Sequence, residues 1–183
     1  DECFCASLGA GPEAQDPCDL QLTDIGDGYL CQAETPAGVL ILKSAFNLLQ
    51  PAQLEHDQEK ARLVQLVRDA MPRDRSCHQI RQAIERADWE ALGQECLGCG
   101  GCSFVCPVCH CFNVLDRGIP DGERLRCRDS CILSGFSRLT GGANPRRTAG
   151  QRLRHWYLDK FEALPKITGL PGCVGCGRCH LVC

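Results

Sequence analysis

The chain has 183 residues, of which 44% are hydrophobic, and this is enough for one domain or two small ones with a packed core. Its 20 Lys+Arg and 23 Asp+Glu give a formal net charge of −3, which argues against a general affinity for nucleic acid or anionic membranes. No apolar run reaches the roughly 18 residues that a membrane-spanning helix needs, so we expect no membrane span.

Residues 1–48 are predicted to form a small strand-containing α/β segment, the end of a larger α/β domain. The stretch GYLCQAE and the stretch VLIL have the composition of two strands. Between them, Pro36 and Gly38 supply residues typical of a turn, so we predict a hairpin. The remaining residues, 49–183, are predicted to be mainly helical, and the fold class is therefore α+β.

Helical periodicity predicts two helices at the start of this second domain. Pro51 suits a first helical position. The apolar residues of the first helix recur at helical spacing up to about Met71–Pro72: Leu63, Leu66, Val67 and Ala70. Ser76 with Gln79 forms a capping box for the second helix, which leads into the first cysteine motif. Its apolar positions are Ile80, Ala83, Ile84 and Ala87.

A third helix is predicted in the later part of the chain, where apolar residues again follow the helical period. These residues are Leu153, Trp156, Tyr157, Phe161 and Leu164. We expect Pro165 to end this helix, because proline lacks the backbone N–H that a helix interior uses. Trp156 and Tyr157 are expected to be core residues.

Cysteine usage is the unusual feature of the composition, with 17 in the chain. Eight of them form two copies of the pattern C-x2-C-x2-C-x3-C, set among predicted helices. The first cysteine motif contains Cys96, Cys99, Cys102 and Cys106, and the second cysteine motif contains Cys173, Cys176, Cys179 and Cys183. This layout favours reduced thiols that bind metal in a cytoplasmic compartment over a disulfide framework.

The spacing of the two motifs predicts two 4Fe-4S clusters. Three thiolates at this spacing can hold one face of a cubane, and the intervening glycines allow the backbone to approach it closely. In two-cluster proteins the fourth cysteine of each run binds the other cluster. We therefore assign Cys96, Cys99, Cys102 and Cys183 to the first cluster, and Cys173, Cys176, Cys179 and Cys106 to the second.

Nine of the 17 cysteines lie outside the motifs. Cys3 and Cys5 precede a glycine-rich stretch and are candidate ligands of a third cluster whose other ligands would lie upstream. Three more are interpreted as neighbours that tune cluster potential through weak S–H bonds: Cys109, Cys111 and Cys131. Three others are expected to be small core residues: Cys31, Cys77 and Cys127.

A basic stretch without acidic residues follows the first motif and carries Arg138, Arg146, Arg147, Arg152, Arg154 and His155. We interpret it as electrostatic compensation of the clusters, or as a docking site for an acidic partner. The alternative is a cluster-bearing regulator that binds nucleic acid through this stretch. A second alternative is a zinc-stabilised interaction module. His110 and His180 stand beside motif cysteines and are interpreted as hydrogen-bonding or surface residues.

Further sequence features point to a known family. They are the C-P-x-C-x-C continuation from Cys106 to Cys111, the R-x-R-D-S-C stretch ending at Cys131, and the closing CVGCGRC. With both motifs, they make the chain resemble the iron–sulfur subunit shared by cytoplasmic sulfhydrogenases (the beta subunit) and anaerobic sulfite reductases. Residues from about 50 to 183 also resemble the alpha-helical ferredoxin domain of succinate dehydrogenase iron–sulfur subunits and heterodisulfide reductases.

This resemblance implies an electron-transfer subunit that is not catalytic on its own. Its partners would be a flavin subunit handling NAD(P)H, or a ferredoxin, on one side. On the other side would stand a catalytic hydrogenase or sulfite reductase subunit, with no nucleic acid involved. The resemblance covers the C-terminal part of a typical member, so we expect this chain to be a fragment of a longer protein.

Overall fold

The computed structural model describes residues 2–14, 18–70, 77–118 and 120–183. The described residues form two compact units, one within Cys5–Arg73 and the other within Asp1–Phe4 and Asp74–Cys183. Helices and small antiparallel sheets occur in both, which confirms the α+β class. Across the described ranges, no helix has the length and apolar character needed to cross a membrane.

The unit within Cys5–Arg73 contains a short 3-10 helix, one hairpin and two α-helices. Its elements in chain order are the 3-10 helix Cys5–Leu8, β1 (Leu20–Asp24), β2 (Tyr29–Ala33), α1 (Pro36–Ser44) and α2 (Leu54–Ala70). A second 3-10 turn, Phe46–Leu48, follows α1. β1 and β2 pair antiparallel, with Leu22 opposite Cys31. Helix α2 belongs to this unit.

The predicted strand over VLIL is wrong, because this stretch lies inside α1. The Thr35 side chain accepts a hydrogen bond from the backbone N–H of Gly38 at 3.2 Å, which caps the helix. Pro36 occupies the first turn, where the N–H that it lacks is not needed. This start signal outweighs the strand propensity of the apolar run that follows, and the hairpin pairs β1 with β2 instead.

The two helices predicted by periodicity are confirmed. The first is α2, although it begins three residues after Pro51. The second is α3 (Cys77–Arg86). The capping box predicted at Ser76 lies outside the described residues. A further short helix, α4 (Trp89–Glu95), separates α3 from the first cysteine motif.

The second unit continues with short elements around the cysteine motifs. They are α5 (Gly101–Phe104), β3 (Phe112–Arg117), β4 (Glu123–Arg128), α6 (Ala149–Leu158), the π-helical turn Asp159–Ala163, α7 (Leu164–Thr168) and α8 (Arg178–Val182). β3 and β4 form an antiparallel hairpin that the sequence analysis did not predict. Helices α4 and α6 pack closely where Gly150 meets the Trp89 backbone, since a Cβ at Gly150 would overlap the Trp89 carbonyl.

The expectation that Pro165 ends the third helix is wrong. Helix α6 passes through the π-helical turn Asp159–Ala163 and continues as α7, with Pro165 in the first turn of α7. Pro165 has no N–H to donate to the preceding turn, and the Lys160 carbonyl of that turn accepts the Gly172 N–H instead at 2.7 Å. The helix ends instead at Gly169, which adopts a left-handed conformation with φ +76°.

The core of this unit lies beneath the cysteine motifs. Cys131, Ile132 and Trp156 are buried together. Tyr157 packs against this core and stacks edge-on against Trp156, with ring centroids 5.0 Å apart. The prediction that Trp156 and Tyr157 are core residues is confirmed. Three motif cysteines also contact this core: Cys96, Cys102 and Cys179.

Candidate iron–sulfur centre

The two cysteine motifs share the same local backbone geometry. Gly98 and Gly175 occupy equivalent positions and have φ values of 66° and 65°. In each motif the glycine N–H donates a hydrogen bond to the first cysteine: Gly98 to Cys96 Sγ and Gly175 to Cys173 Sγ, both at 3.4 Å. Glycine adopts this left-handed conformation at little cost. The repeated sequence pattern therefore produces a repeated turn, and each turn directs backbone N–H toward a sulfur.

A second pair of glycines starts the helix that follows in each motif. Gly100 precedes α5 and Gly177 precedes α8, both with positive φ. Helices α5 and α8 pack against each other, and a Cβ added at Gly101 would lie 3.8 Å from Val182 Cγ2. Because Cys183 directly follows Val182, this packing brings the last cysteine of the second motif next to the first motif.

The electrostatic surroundings of the thiols agree with this placement. Burial raises the pKa of Cys102, and the negative charges of Cys183 and Cys179 raise it further. Burial likewise raises the pKa of Cys173, with Cys179 and Cys106 adding to the effect. Cys183 thus lies close enough to Cys102, and Cys106 close enough to Cys173, for their charges to interact. These neighbours are those expected for crosswise ligation.

A cavity of about 190 Å³ adjoins the second motif. Its walls include all four predicted ligands of the second cluster, namely Cys106, Cys173, Cys176 and Cys179. Aromatic and aliphatic side chains complete it: Phe4, Ile80, Trp156, Tyr157, Phe161 and Val174. An apolar surrounding of this kind strengthens every charge interaction inside it.

One buried cation lines the cavity. Lys160 is only 3% exposed, and its Nζ donates hydrogen bonds to Cys106 Sγ at 3.3 Å and to the Gly172 carbonyl at 3.1 Å. The same Nζ lies 5.1 Å from the centre of the Trp156 ring. Burial would lower the pKa of Lys160, but its interactions with the sulfurs of Cys109 and Cys106 raise the pKa overall. The side chain is therefore an ammonium at neutral pH.

Cys106 is prepared to bind metal as a thiolate. The pKa of Cys106 is lowered to about 4, mainly because the Cys109 side chain donates a hydrogen bond to the Cys106 sulfur. Lys160 contributes in the same direction. Because the thiolate is the form that coordinates metal, Cys106 is competent as a ligand at neutral pH without losing a proton first. Cys109 is the neutral donor of the pair, since this hydrogen bond raises its own pKa.

Two further cysteines lie beneath the first motif. Cys131 is buried, and Cys111 packs against it together with Cys96 and Cys102. Burial is the largest cause that raises the pKa of Cys131. Its thiol therefore keeps its proton at neutral pH. The interpretation that Cys131 donates a weak S–H hydrogen bond toward a cluster requires this protonated form. The three cysteines that we expected in the core are half-buried: Cys31, Cys77 and Cys127.

The surrounding donors fit an iron–sulfur cluster. Ser103 Oγ and Trp156 Nε1 are buried and have no well-formed hydrogen bond among the described residues; the acceptors near them are cysteine sulfurs, of Cys102 for Ser103 and of Cys109 for Trp156. Ser103 directly follows Cys102, and Trp156 lines the cavity of the second motif. Buried donors are nearly always paired in native proteins, and cluster sulfides accept hydrogen bonds. In the described ranges, no close group of three or more His, Cys, Asp or Glu could hold a single metal ion.

The N-terminal residues 2–4 lie along the second motif. The Phe4 backbone N–H donates to the Gly175 carbonyl at 2.7 Å, and His180 Nδ1 lies 3.4 Å from a Glu2 carboxylate oxygen. Cys3 is half-buried between these contacts. Cys5 is buried and begins a 3-10 helix. The third cluster with Cys3 and Cys5 as ligands stays a prediction.

The basic stretch is not one exposed surface. Arg152 is buried, 8% exposed, and donates to the carbonyls of Ile132 at 2.8 Å, Arg147 at 2.8 Å and Arg146 at 3.3 Å. Its guanidinium therefore braces the preceding loop from inside, while three arginines stay exposed: Arg138, Arg147 and Arg154. Burial, followed by the charge of Arg146, lowers the pKa of His155.

Sequence reasoning missed Lys160, because a lysine in an amphipathic helix is ordinarily assigned to solvent. A signal was present. Lys160 follows Trp156 by four residues and Tyr157 by three, so the helical period places it on the apolar face.

Comparisons with known proteins agree with the motif chemistry. Residues 95–183 match the family described as 4Fe-4S dicluster domain. The chain is 32% identical to sulfhydrogenase 2 subunit beta of Pyrococcus furiosus over 187 aligned positions, which cover 99% of this chain and 55% of that protein. The chain thus spans about half the length of the curated relative it matches. No solved structure matches it. The resemblance to sulfhydrogenase beta-type iron–sulfur subunits, predicted from the motifs, is confirmed.

Proposed function

We propose that this chain holds two 4Fe-4S clusters and relays single electrons within a cytoplasmic, sulfhydrogenase-like oxidoreductase complex. The observation that carries the proposal is that the fourth cysteine of each motif lies beside the other motif. Cys106 lines the cavity of the second motif, and α8 places Cys183 beside the first. The match of residues 95–183 to 4Fe-4S dicluster domains supports the same reading.

The ligand sets follow from these neighbours. Cys96, Cys99, Cys102 and Cys183 would hold the first cluster, and Cys173, Cys176, Cys179 and Cys106 the second. When bound, each 4Fe-4S group supplies a site that accepts and releases one electron. The chain orients the sulfurs through its left-handed glycine turns and lines the second site with aromatic side chains. It donates backbone hydrogen bonds to Cys96 and Cys173.

The partner subunits are proposed from the similarity to a sulfhydrogenase beta subunit. A flavin subunit that handles NAD(P)H, or a ferredoxin, would exchange electrons with this chain on one side. A catalytic subunit of hydrogenase or sulfite reductase type would do so on the other. In this arrangement the chain conducts electrons and does not itself bind or transform a substrate.

Serine replacement of the exchanged cysteines tests the ligand sets. In the anaerobically purified chain we expect about eight irons and eight labile sulfides. Cys99→Ser and Cys176→Ser each remove a ligand of one cluster and provide reference electron paramagnetic resonance (EPR) spectra for its loss. Cys183→Ser should reproduce the spectrum of Cys99→Ser, and Cys106→Ser that of Cys176→Ser. Cys77→Ser is the control and should leave both signals unchanged.

Two results would contradict this proposal. If Cys183→Ser reproduced the spectrum of Cys176→Ser, each motif would hold its own fourth ligand and the exchange would be wrong. If the purified chain contained zinc without sulfide, the electron-transfer function itself would fail, because zinc does not change oxidation state in proteins.

A further inference from the structure

We propose that Lys160 is a positioning residue of the second cluster, whose fixed ammonium joins the two halves of that cluster's ligand set and raises its reduction potential. The inference rests on the proposed function, because it concerns the site formed by Cys106 and the second motif.

Lys160 contacts both parts of the chain that contribute ligands to this site. Its Nζ lies 3.3 Å from Cys106 Sγ, the ligand that comes from the first motif. The same Nζ lies 3.1 Å from the carbonyl of Gly172, the residue immediately before Cys173. In return, the Gly172 N–H donates to the Lys160 carbonyl at 2.7 Å. Backbone and side chain of one residue thus fix the start of the second motif against Cys106.

Local backbone geometry directs this side chain inward. Lys160 lies in the π-helical turn Asp159–Ala163, and both Lys160 and Phe161 are buried there. Turns of this kind are rare and occur frequently at functional sites. Gly172 makes the close approach possible, because a Cβ at that position would lie 2.7 Å from Lys160 Cα and 2.6 Å from Leu164 Cδ1. The π-helical turn and the absence of a side chain at Gly172 therefore both favour the contact between Lys160 and Gly172.

The charge balance of the cavity favours an anionic neighbour for Lys160. A buried ammonium is costly unless opposite charge and hydrogen-bond acceptors surround it. In the described structure the Cys106 thiolate, the Gly172 carbonyl and the negative face of the Trp156 ring surround the ammonium, and the Cys109 sulfur lies close by. A cluster bound by four thiolates would add further negative charge beside this cation.

The same contact has a consequence for electron uptake. Reduction adds one negative charge to the site, and a cation held 3.3 Å from a ligand sulfur stabilises that charge. In an apolar cavity the interaction is weakly screened. The reduced state of the second cluster is therefore favoured relative to the same site without the cation, and its potential is higher. One electron, supplied by the flavin or ferredoxin partner of the proposed function, would enter this site, and no proton transfer to Lys160 would be involved.

Charge removal at Lys160 tests the inference. Lys160→Met keeps an unbranched side chain, one atom shorter, and removes the ammonium, and Lys160→Arg keeps the charge. Lys166→Met is the matched control, since Lys166 is exposed, lies on the continuation of the same helix and pairs with Glu162 at 2.7 Å. Each protein is purified anaerobically, analysed for iron and sulfide, and titrated with reductant while the EPR signals of both clusters are recorded.

We expect the second cluster of Lys160→Met to be harder to reduce. We compare the proteins at the potential where the wild-type second cluster is half reduced. There the ratio of reduced to oxidised second cluster in Lys160→Met should be at least tenfold lower than in the wild type, which corresponds to a reduction potential lower by 59 mV for one electron. The first cluster should be unchanged, and Lys166→Met should match the wild type at both clusters. Lys160→Arg should retain the wild-type potential.

Several outcomes would overturn the inference. One is a second-cluster ratio in Lys160→Met within twofold of the wild type, and another is an equal shift of both clusters. If Lys160→Met does not retain the second cluster, the cluster content of Lys160→Arg decides. Retention of both clusters in Lys160→Arg supports the joining role of the cation, and loss of the second cluster in Lys160→Arg overturns it. A wild-type chain without two clusters would instead refute the proposed function, and this is visible in the iron and sulfide content before any titration.

Discussion

Gly172 immediately precedes the second cysteine motif and has no room for a side chain. A methyl group there would lie 2.6 Å from Leu164 Cδ1, 2.7 Å from Lys160 Cα and 2.9 Å from the Lys160 carbonyl oxygen. Two of these three atoms belong to the backbone, so they cannot turn away as a flexible side chain would. Relief of the overlap must lengthen the 2.7 Å hydrogen bond from Gly172 N–H to the Lys160 carbonyl.

The magnitude of a Gly172→Ala substitution follows from these contacts. Overpacking in a close-packed region costs about 1–3 kcal/mol. Loss of the backbone hydrogen bond adds about 0.5–1.5 kcal/mol. We therefore expect the free energy of unfolding to fall by about 2–4 kcal/mol. At a urea slope of about 2 kcal/mol per molar, the midpoint should fall by about 1–2 M.

An anaerobic urea titration, followed by the loss of cluster absorbance, measures this shift. Gly169→Ala is the control, because Gly169 has φ +76° but no described atom within 4 Å of an added Cβ. That variant carries the conformational cost alone, about 1–2 kcal/mol, and does not touch the start of the motif. A Gly172→Ala midpoint equal to or above that of Gly169→Ala would refute the steric argument.

Two further predictions concern a buried arginine and a thiolate. Arg152→Met leaves three carbonyls without their donor and should lower the free energy of unfolding by about 2–5 kcal/mol in the same titration. The exposed control Arg154→Met should change it by less than about 0.5 kcal/mol, and equal effects would contradict the bracing role. In the metal-free chain at pH 6, brief iodoacetamide treatment should label Cys106 before Cys102 or Cys173, because its pKa is lowered to about 4 and theirs are raised. Peptide mass spectrometry measures the order in which the cysteines are labelled. The difference in labelling rate should shrink as rising pH deprotonates Cys102 and Cys173. Labelling of Cys102 before Cys106 at pH 6 would contradict the prediction.

The turns within the cysteine motifs could be predicted from the sequence because they are local. The spacing of the cysteines and the glycines between them is enough to predict the turns seen at Gly98 and Gly175. Helices α2 and α3 were also predictable, since each is long enough for the apolar period to repeat. The VLIL stretch was not, because four adjacent apolar residues have no period, and the cap at Thr35 decides its conformation.

Other features depend on information that no short window contains. Every residue of β3 is exposed, so this strand lacks the alternation of apolar and polar residues that predicts strands. The contact between Lys160 and Cys106 joins positions 54 residues apart in the chain. Only the folded backbone, with its π-helical turn and the close approach of Gly172, brings these two side chains together.

The π-helical turn also changes which way one continuous helix faces. An α-helix advances about 100° per residue, so one additional residue in a turn rotates everything that follows by about that angle. Trp156 in α6 and Lys160 in the turn lie four residues apart, and both line the cavity of the second motif. After the turn the helix resumes with a rotated face, and Leu164, the first residue of α7, lies against Gly172 at the start of that motif. One continuous helix therefore contributes side chains to the core before the turn and packs against the backbone of the metal site after it.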